Sequence, residues 1–449
     1  MPLRMNRSLF VIVTAACIWR DTAAQTPPTS PASPAPIAGI PVNYDESKVG
    51  TYTLPDPLTL ANGRKVRDAK TWFSERRPEI LRMFETIQYG RAPGRPADLW
   101  FKTTEQSGAA FDGKAVRRQV TVYFTKDTAG PHADVLMYVP ANARGPVPLL
   151  LHVSFSPNAT TIDDPAVPLG QMWSRDGNRV PTPAPKPGAP AFGRMDPLPF
   201  LAQGIGVATV YYGDFDPDFA SGYLLGLRAT YAAPGQTAPK PDEWGTIAAW
   251  SWGLSRVMDY LETDHAVDAK RVALLGVSRI GKTVLWTAAR DTRFAAVIAS
   301  CSGESGAAIS RRDYGETVAH MTAPSRYGYQ FAPAYASYGT RVNELPMDGH
   351  MLVSLVAPRP VLLQTGDADF WSDPKGEFVS AVAADTVFRL LGVRGLETEV
   401  MPGAGQPIGH TLSYYMHAGG HGTVPSDWPV FLAFVQTNLK GSEQAAKQD

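Results

Sequence analysis

A serine near the middle of the chain has the surroundings expected of a nucleophile. Residues 271–278 read Arg-Val-Ala-Leu-Leu-Gly-Val-Ser, an apolar run that ends at Ser278 and is followed directly by a helical pattern. A sharp strand-to-helix turn lifts a serine hydroxyl out of a sheet, and the N–H groups at the helix start stabilise a developing oxyanion. Ile280 stands where the Gly-x-Ser-x-Gly pattern has its last glycine, which follows at Gly281. The run predicts an activated serine, with a structural serine that caps a helix as the alternative.

The same residues also match the letters of a phosphate-binding loop. Gly276, Gly281, Lys282 and Thr283 fit the Gly-x4-Gly-Lys-Ser/Thr pattern, which follows a strand and opens a helix in nucleotide-binding proteins. That interpretation leaves the acidic and histidine-bearing loops later in the chain without a role. The activated serine is therefore the favoured interpretation.

A nucleophilic serine needs a base, and the base needs an acid that orients it. His421 lies in a Gly-Gly-His-Gly run before the last predicted helix, and Asp369 follows a late predicted strand. The order serine, acid, histidine is that of α/β-hydrolases. Glu304, after the strand that follows the serine helix, is a second candidate for the acid. We expect Ser278 as nucleophile and His421 as base, with Asp369 ranked before Glu304 as the acid.

A metal site is the competing explanation for the late histidines. His417 and His421 are four residues apart, which is the spacing of two zinc ligands on a helix. Gly419 and Gly420 lie between them and argue against a helix, so His417 is expected to be a surface or substrate-side residue. We expect neither a metal nor a cofactor.

The elements that must position these residues follow a recognisable order. Apolar, β-branched runs come first in succession and later alternate with helical patterns, which predicts an α/β-hydrolase three-layer sandwich with a mixed, mostly parallel central sheet. The predicted strands cover 119–124, 134–139, 147–155, 207–212, 271–277, 295–300, 360–365 and 396–401. The predicted helices cover 69–89, 244–262, 279–290, 378–391 and 427–439.

The N-terminus has the composition of a secretory signal. Residues 1–24 combine two arginines at the start, Arg4 and Arg7, a short apolar run and small residues suited to cleavage, and 25–42 form a Pro-rich flexible leader. Residues 43–449 are expected to be a single catalytic domain in a secreted or periplasmic protein. A lipoprotein signal that ends at Cys17 is the alternative, and it would tether the mature chain to a membrane.

Charge and cysteine content limit the partners. The 42 basic residues balance the 42 acidic ones, so no basic field exists to hold nucleic acid or an anionic membrane. Once the signal is removed, Cys301 is the remaining cysteine and no intramolecular disulfide can form. We expect a monomer whose partner is its substrate.

Four motifs together resemble the glucuronoyl esterases of carbohydrate esterase family 15, of the bacterial type. The resemblance covers about residues 42–439, and the motifs are Gly-x-Ser-Arg-x-Gly-Lys at 276–282, Arg-Arg-x-x-Gly-Glu at 311–316, Asp-x-Trp-x-Asp-Pro at 369–374 and Gly-Gly-His-Gly at 419–422. The first motif is specific, because general esterases lack its arginine and lysine.

The resemblance implies a substrate and further roles. The family hydrolyses esters of 4-O-methyl-glucuronic acid, the links between glucuronoxylan side groups and lignin alcohols. Arg279 would help to bind the oxyanion, and the sugar hydroxyls would be held by Lys282, Glu316 and Trp371. Fungal members carry the acid at a position that by counting reaches Cys301, whereas many bacterial members use the acid of the Asp-x-Trp segment, which favours Asp369.

Two other functions remain open from the sequence. An acetyl-xylan or general carboxylesterase would use the same fold and the same serine. A carbohydrate-binding protein that has lost catalysis belongs to another class, and the joint presence of Ser278, Asp369 and His421 argues against it.

Overall fold

The computed structural model describes residues 31–184 and 193–445. The predicted signal at 1–24, including Cys17, lies outside the described residues, as does the first part of the predicted leader. Within the described part of the chain, no helix is both long enough and apolar enough to cross a membrane.

Among the described residues, ten strands form one sheet, and a separate hairpin pairs two short strands. The strands of the sheet are β1 Trp100–Ala109, β2 Ala115–Tyr123, β3 His132–Pro140, β4 Val147–Ser154, β7 Gly206–Tyr211, β8 Val267–Val277, β9 Ala296–Ser300, β10 Val361–Gly366, β11 Ile408–Gly409 and β12 Leu412–His417. The hairpin consists of β5 Gln171–Trp173 and β6 Arg179–Pro181.

The sheet is antiparallel at one end and parallel through most of its width. Its strand order is β1-β2-β3-β7-β4-β8-β9-β10-β12-β11. The first three strands and the β3–β7 pair are antiparallel, the strands from β7 to β12 run parallel, and β11 returns antiparallel.

Four long helices cover the sheet. They are α1 Thr246–Leu261, α2 Arg279–Arg290, α3 Pro374–Leu390 and α4 Asp427–Ala445. An N-terminal helix runs over 69–88 and contains two π-helical turns. Asp68 caps its N-terminus, because its side chain accepts a hydrogen bond from the N–H of Thr71. Short helices lie at Ala110–Gly113, Asn158–Thr161, Leu198–Ala202, Leu227–Tyr231, Val318–Thr322 and Gly349–Ser354.

The core lies on both faces of the sheet. Leu274 and Leu275 are neighbours in β8 and belong to two different hydrophobic clusters, because successive side chains of a strand point to opposite faces. All eight residues of β4 are buried, as expected for a strand covered on both sides. The predicted α/β sandwich with a mixed, mostly parallel sheet is confirmed.

One predicted strand was wrong. Residues 396–401 are irregular, and Val400 is 76% exposed. The edge of β10 is instead occupied by β12, whose six residues are all buried. Alternating apolar residues suggested a strand at 396–401, but β12 offers a longer apolar surface to the core. The sequence-based prediction also missed β1, which is mostly exposed at the other end of the sheet.

The junction between β8 and α2 explains the displaced glycine of the serine motif. A Cβ atom at Gly281 would lie 2.7 Å from the carbonyl oxygen of Ser300, and one at Gly276 would lie 2.5 Å from that of Ile280. The helix therefore crosses the end of β9 at a distance that only glycine permits at 281. Ile280 points into the core and is fully buried.

Gly281→Ala tests this packing. Alanine is favoured over glycine in a helix by about 1 kcal/mol, but overpacking costs about 1–3 kcal/mol. We expect the second effect to prevail and the free energy of unfolding, measured in denaturant, to fall. Gly145→Ala is the control, since a Cβ atom there meets nothing within 4 Å. A Gly281→Ala protein as stable as the wild type would contradict the close contact.

Candidate active site

Ser278 lies at the carboxyl end of β8 in a strained backbone conformation. Its φ is 59° and its ψ is −127°, a combination of backbone angles that residues other than glycine rarely adopt. The N–H of Ser278 donates to the carbonyl oxygen of Ser300 at 2.8 Å. Ser278 is also the residue before the first turn of α2, so its hydroxyl stands beside the N–H groups of a helix start, which have no partner within the helix.

His421 and Asp369 are in direct contact. Asp369 Oδ2 lies 2.7 Å from His421 Nδ1, and Ser372 Oγ lies 3.1 Å from the same nitrogen. Burial alone would raise the pKa of Asp369, but the hydrogen bond and the charge of His421, together with hydrogen bonds from Ser372, hold it below its usual range. The carboxylate therefore stays ionised and can accept the Nδ1 proton of the imidazole.

Two side chains hold the loop that carries His421. Asp367 Oδ1 accepts a hydrogen bond from the N–H of Gly419 at 2.8 Å. His417 is not the surface or substrate-side residue that the sequence suggested, because it is buried at the end of β12 between Asp427 and the carbonyl of Gly420. Both residues fix the glycine-rich turn and leave the His421 ring at the surface of a pocket.

Glu304 lies in a different environment. Its Oε1 accepts hydrogen bonds from the N–H of Ser305 at 2.7 Å and from Ser310 Oγ at 2.7 Å. Burial raises the pKa of Glu304 to about 8, so the carboxyl is neutral at pH 7. Of the two candidate acids, the structure brings Asp369 to His421 and places Glu304 inside the loop that follows β9.

Seven of the eight predicted site residues, all except Glu304, surround one cavity of about 340 Å³. Ser278, Arg279, Lys282, Glu316, Asp369, Trp371 and His421 all line it, and so do five residues that the sequence did not single out for the pocket, namely Cys301, Met321, Tyr327, Gln330 and Ser372.

Two motifs that lie far apart in sequence are held together at this cavity. Arg312 Nε donates to Asp373 Oδ2 at 2.8 Å, and both side chains are buried. A Cβ atom at Gly315 would lie 2.5 Å from the carbonyl oxygen of Phe370. The N–H of Glu316 donates a hydrogen bond to the carbonyl oxygen of Trp371 at 2.9 Å. The Arg-Arg-x-x-Gly-Glu motif thus positions Glu316 beside Trp371.

Lys282 and Glu316 are two buried groups of opposite charge on the pocket wall. Burial lowers the pKa of Lys282, and the charge of Glu316 opposes this shift. Burial likewise raises the pKa of Glu316, although Lys282 and Arg326 favour its ionised form. Groups in this state can donate to and accept from the vicinal hydroxyls of a sugar.

Asp218 orients Arg279, and no signal in the sequence marks it. Arg279 Nη1 donates to Asp218 Oδ2 at 2.5 Å. The same carboxylate accepts hydrogen bonds from three further side chains, Tyr212 at 2.9 Å and Tyr329 and Gln330 at 2.8 Å each. Four donors on one carboxylate fix the direction of the guanidinium. Asp218 lies in an irregular loop after β7, where neither periodicity nor a motif points to it.

Stacked cations and rings continue the wall. The guanidinium groups of Arg279 and Arg326 each lie 4.8 Å from the ring centre of Tyr327. Arg326 also lies 5.0 Å from the ring centre of Trp371 and 3.1 Å from Glu316 Oε1. Cation–π contacts of this kind are worth about 0.5–2 kcal/mol each, so Tyr327 helps to hold both guanidinium groups in place.

The raised pKa of Glu304 predicts a pH-dependent stability. A carboxyl whose pKa is higher in the folded state contributes stability below its unfolded pKa and loses it as pH rises toward about 8. We expect Glu304→Gln, which keeps a neutral side chain, to gain stability relative to the wild type as the pH rises from about 5 to about 8. The gain, measured by denaturant unfolding at each pH, should exceed about 1.4 kcal/mol, the value of one pKa unit. The exposed Glu344→Gln is the control, and equal pH profiles for Glu304→Gln and the wild type would refute the assignment.

Comparison with known proteins agrees with this geometry. A family profile described as fungal glucuronyl esterase matches residues 239–392. Carbohydrate esterase MZ0003, from an unknown prokaryotic organism, is 41% identical over 406 residues, which are 90% of this chain and 93% of that protein. The 4-O-methyl-glucuronoyl methylesterase of Cerrena unicolor is 27% identical over 383 residues, which are 81% of this chain and 68% of that protein.

Solved structures show the same relationship. The glucuronoyl esterase from Solibacter usitatus superposes with a TM-score of 0.83 at 43% identity, over 88% of this chain and 100% of that one. A promiscuous family 15 esterase from a marine bacterial metagenome superposes with a TM-score of 0.78 at 39% identity, over the same shares. Since relatives of this identity match nearly the whole chain, the protein belongs to carbohydrate esterase family 15, the glucuronoyl esterases, and is a carboxylic ester hydrolase with an α/β-hydrolase fold.

Proposed function

We propose that this protein hydrolyses esters of 4-O-methyl-glucuronic acid through an acyl-enzyme on Ser278. The observation that carries the proposal is the contact of 2.7 Å between His421 and Asp369 at the cavity that Ser278 lines. A base held by an ionised acid next to a strained serine is the arrangement that acyl transfer requires.

The orientation of the imidazole determines which of its nitrogens carries a proton and which acts as the base. Asp369 accepts the Nδ1 proton, so the other ring nitrogen, Nε2, carries no proton and can act as the base. Nε2 takes the proton of Ser278 while the serine oxygen attacks the ester carbonyl. The protonated ring then gives that proton to the departing alcohol. Water repeats the sequence on the acyl-enzyme, releasing the uronic acid and restoring the serine.

The oxyanion forms beside the first turn of α2. The main-chain N–H of Arg279 and its guanidinium are fixed donors on this side of the cavity. Because the carboxylate of Asp218 and the ring of Tyr327 both hold the guanidinium, it needs no reorganisation when charge develops. Fixed donors of this kind typically contribute about 3–4 kcal/mol to the stabilisation of the transition state.

A second group of lining side chains forms the wall that recognises the sugar. Lys282 supplies a donor, Glu316 an acceptor and Trp371 an indole N–H together with an apolar ring face. An ester of acetic acid offers no hydroxyl groups to these side chains. This wall favours a uronic acid over a simple acyl group.

A broader carboxylesterase is the second candidate. It is favoured by one observation, the 39% identity to an esterase that is described as promiscuous. The His421 side chain is 38% exposed, which leaves the alcohol side of the cavity open to many leaving groups. A lapsed binding protein is disfavoured, because the acid, the base and the serine all line one cavity.

We place the reaction outside the cytoplasm, in the secreted or periplasmic space, on the basis of the signal-like residues 1–24. The natural substrate there is an ester of glucuronoxylan with a lignin alcohol. The proposed enzyme acts as a monomer and uses no cofactor.

Paired substrates test the function. Ser278→Ala should abolish turnover of both benzyl glucuronate and an aryl acetate, by at least about 10³-fold in kcat, since the nucleophile is lost. Lys282→Met should lower kcat/KM about tenfold or more for the glucuronate, the loss of roughly 1.4 kcal/mol, and leave the aryl acetate within about twofold of the wild type. Equal losses on both substrates in Lys282→Met would favour the broad carboxylesterase, and Ser278→Ala with normal turnover would refute the mechanism.

A double-mutant cycle tests Asp218 as a positioning residue. Asp218→Asn should lower kcat about tenfold or more with little change in KM, because the guanidinium loses its direction. In an Arg279→Ala background the same change should have no further effect on kcat, since there is no guanidinium left to orient. Independent, additive losses in the two backgrounds would show that Asp218 acts on the fold and not through Arg279.

A further inference from the structure

The thiol of Cys301 lies next to the catalytic acid and base, although the proposed mechanism does not use it. Cys301 follows β9 with a φ of 44°, and its Sγ accepts a hydrogen bond from the N–H of Gly422 at 3.3 Å. One ligand atom each from Cys301, Asp369 and His421 lies within 4.8 Å of the others. All three residues line the cavity, so a small ion can reach them.

We propose that Cys301, Asp369 and His421 form an inhibitory site for Zn²⁺ and other thiophilic divalent cations. Thiolate, imidazole and carboxylate are the three ligand types that zinc prefers, and three protein ligands with one open position make a complete site for it. At metal–ligand distances of roughly 2.0–2.3 Å, tetrahedral ligand atoms lie about 3.3–3.8 Å apart. The three atoms reach this spacing with shifts of about 1 Å or less, and a water molecule completes the coordination.

One ionised carboxylate, that of Asp369, lies beside the thiol and favours a cation. The acidic groups that face Cys301 are Asp369, Glu377 and the phenol of Tyr414. Glu377 is fully buried, and its Oε2 has no hydrogen-bond partner among the described residues. The charge of Lys282 favours the ionised form of Glu377, but burial outweighs this effect and raises the pKa of Glu377. Burial and the charge of Asp369 both raise the pKa of the Cys301 thiol, so the metal must displace a proton to bind.

The proton balance explains the inhibition. The Cys301 thiol loses its proton to solvent and becomes the thiolate ligand. The Nδ1 proton of His421 moves to Nε2, so that Nδ1 can bind the metal, and the ring remains neutral. One proton is released for each zinc bound. An Nε2 that carries a proton cannot accept another from Ser278, so the base is lost while the metal stays; this consequence rests on the proposed function, whereas the binding itself does not.

Two variants and a second metal test the site on the full protein. Zinc supplied from a metal buffer should bind with a stoichiometry of one ion per chain, measured by equilibrium dialysis. The bound zinc should inhibit glucuronate hydrolysis. Cys301→Ser should raise the zinc concentration for half-inhibition at least about tenfold, with each protein compared with its own zinc-free rate. His410→Gln is the matched control, because the exposed His410–Glu397 pair at 3.1 Å is the alternative zinc ligand set. Mg²⁺, which prefers oxygen ligands, should not inhibit.

The pH dependence supplies an independent measurement. Because one proton is released per ion, the zinc concentration for half-saturation should decrease as the pH is raised from about 6 to about 7.5. The decrease should be at most about tenfold per pH unit. Equal zinc binding by Cys301→Ser and the wild type, loss of binding in His410→Gln, or a pH-independent affinity would each overturn the site. If Cys301→Ser does not fold, Cys301→Ala replaces it. Zinc that binds through Cys301 to a protein without esterase activity would uphold the site and refute the proposed function.

Discussion

The strained backbone at Ser278 is the constraint on which the active end of the sheet depends. A conformation of this kind costs on the order of 1–3 kcal/mol and persists only where the surroundings impose it. Here β9 supplies the carbonyl that binds the serine N–H, and the glycines at 276 and 281 allow α2 to approach the sheet. As a result, Ser278, the proposed nucleophile, lies directly at the N-terminus of α2, the positive end of that helix.

Loops carry most of the remaining groups to that point, and ion pairs hold those loops in place, one of them buried and the other partly buried. Arg312 with Asp373 and Arg279 with Asp218 join segments that are far apart in sequence. Removing one partner of a buried pair typically costs about 3–5 kcal/mol, because the other charge is left without compensation. Such pairs therefore contribute more to the choice of a single loop arrangement than to overall stability.

In the proposed mechanism and at the proposed zinc site, His421 is the residue at which catalysis and metal binding compete. Its Nδ1 faces Asp369, and the Cys301 thiol lies within reach of both side chains. Whether Nδ1 holds a proton or a metal decides whether Nε2 can act as a base. A carboxylate alone stabilises the catalytic tautomer, whereas a carboxylate and a thiol together with the imidazole offer a cation three ligands. The same neighbourhood thus supports the reaction and exposes it to soft metals.

Seven of the ten strands of the sheet, the long helices, the serine on its turn and seven of the twelve residues that line the pocket could be predicted from the sequence. These properties are local, because apolar periodicity indicates which residues are buried and short glycine motifs indicate where the backbone turns sharply. The last strand could not be predicted, because 396–401 and β12 both have strand-like patterns and competition for the edge of β10 decides between them. The ranking of Asp369 before Glu304 was possible from the sequence. The contact of Asp369 with His421 and that of Asp218 with Arg279 required the folded chain, because the contacts of a loop carboxylate depend on which distant segment folds against it.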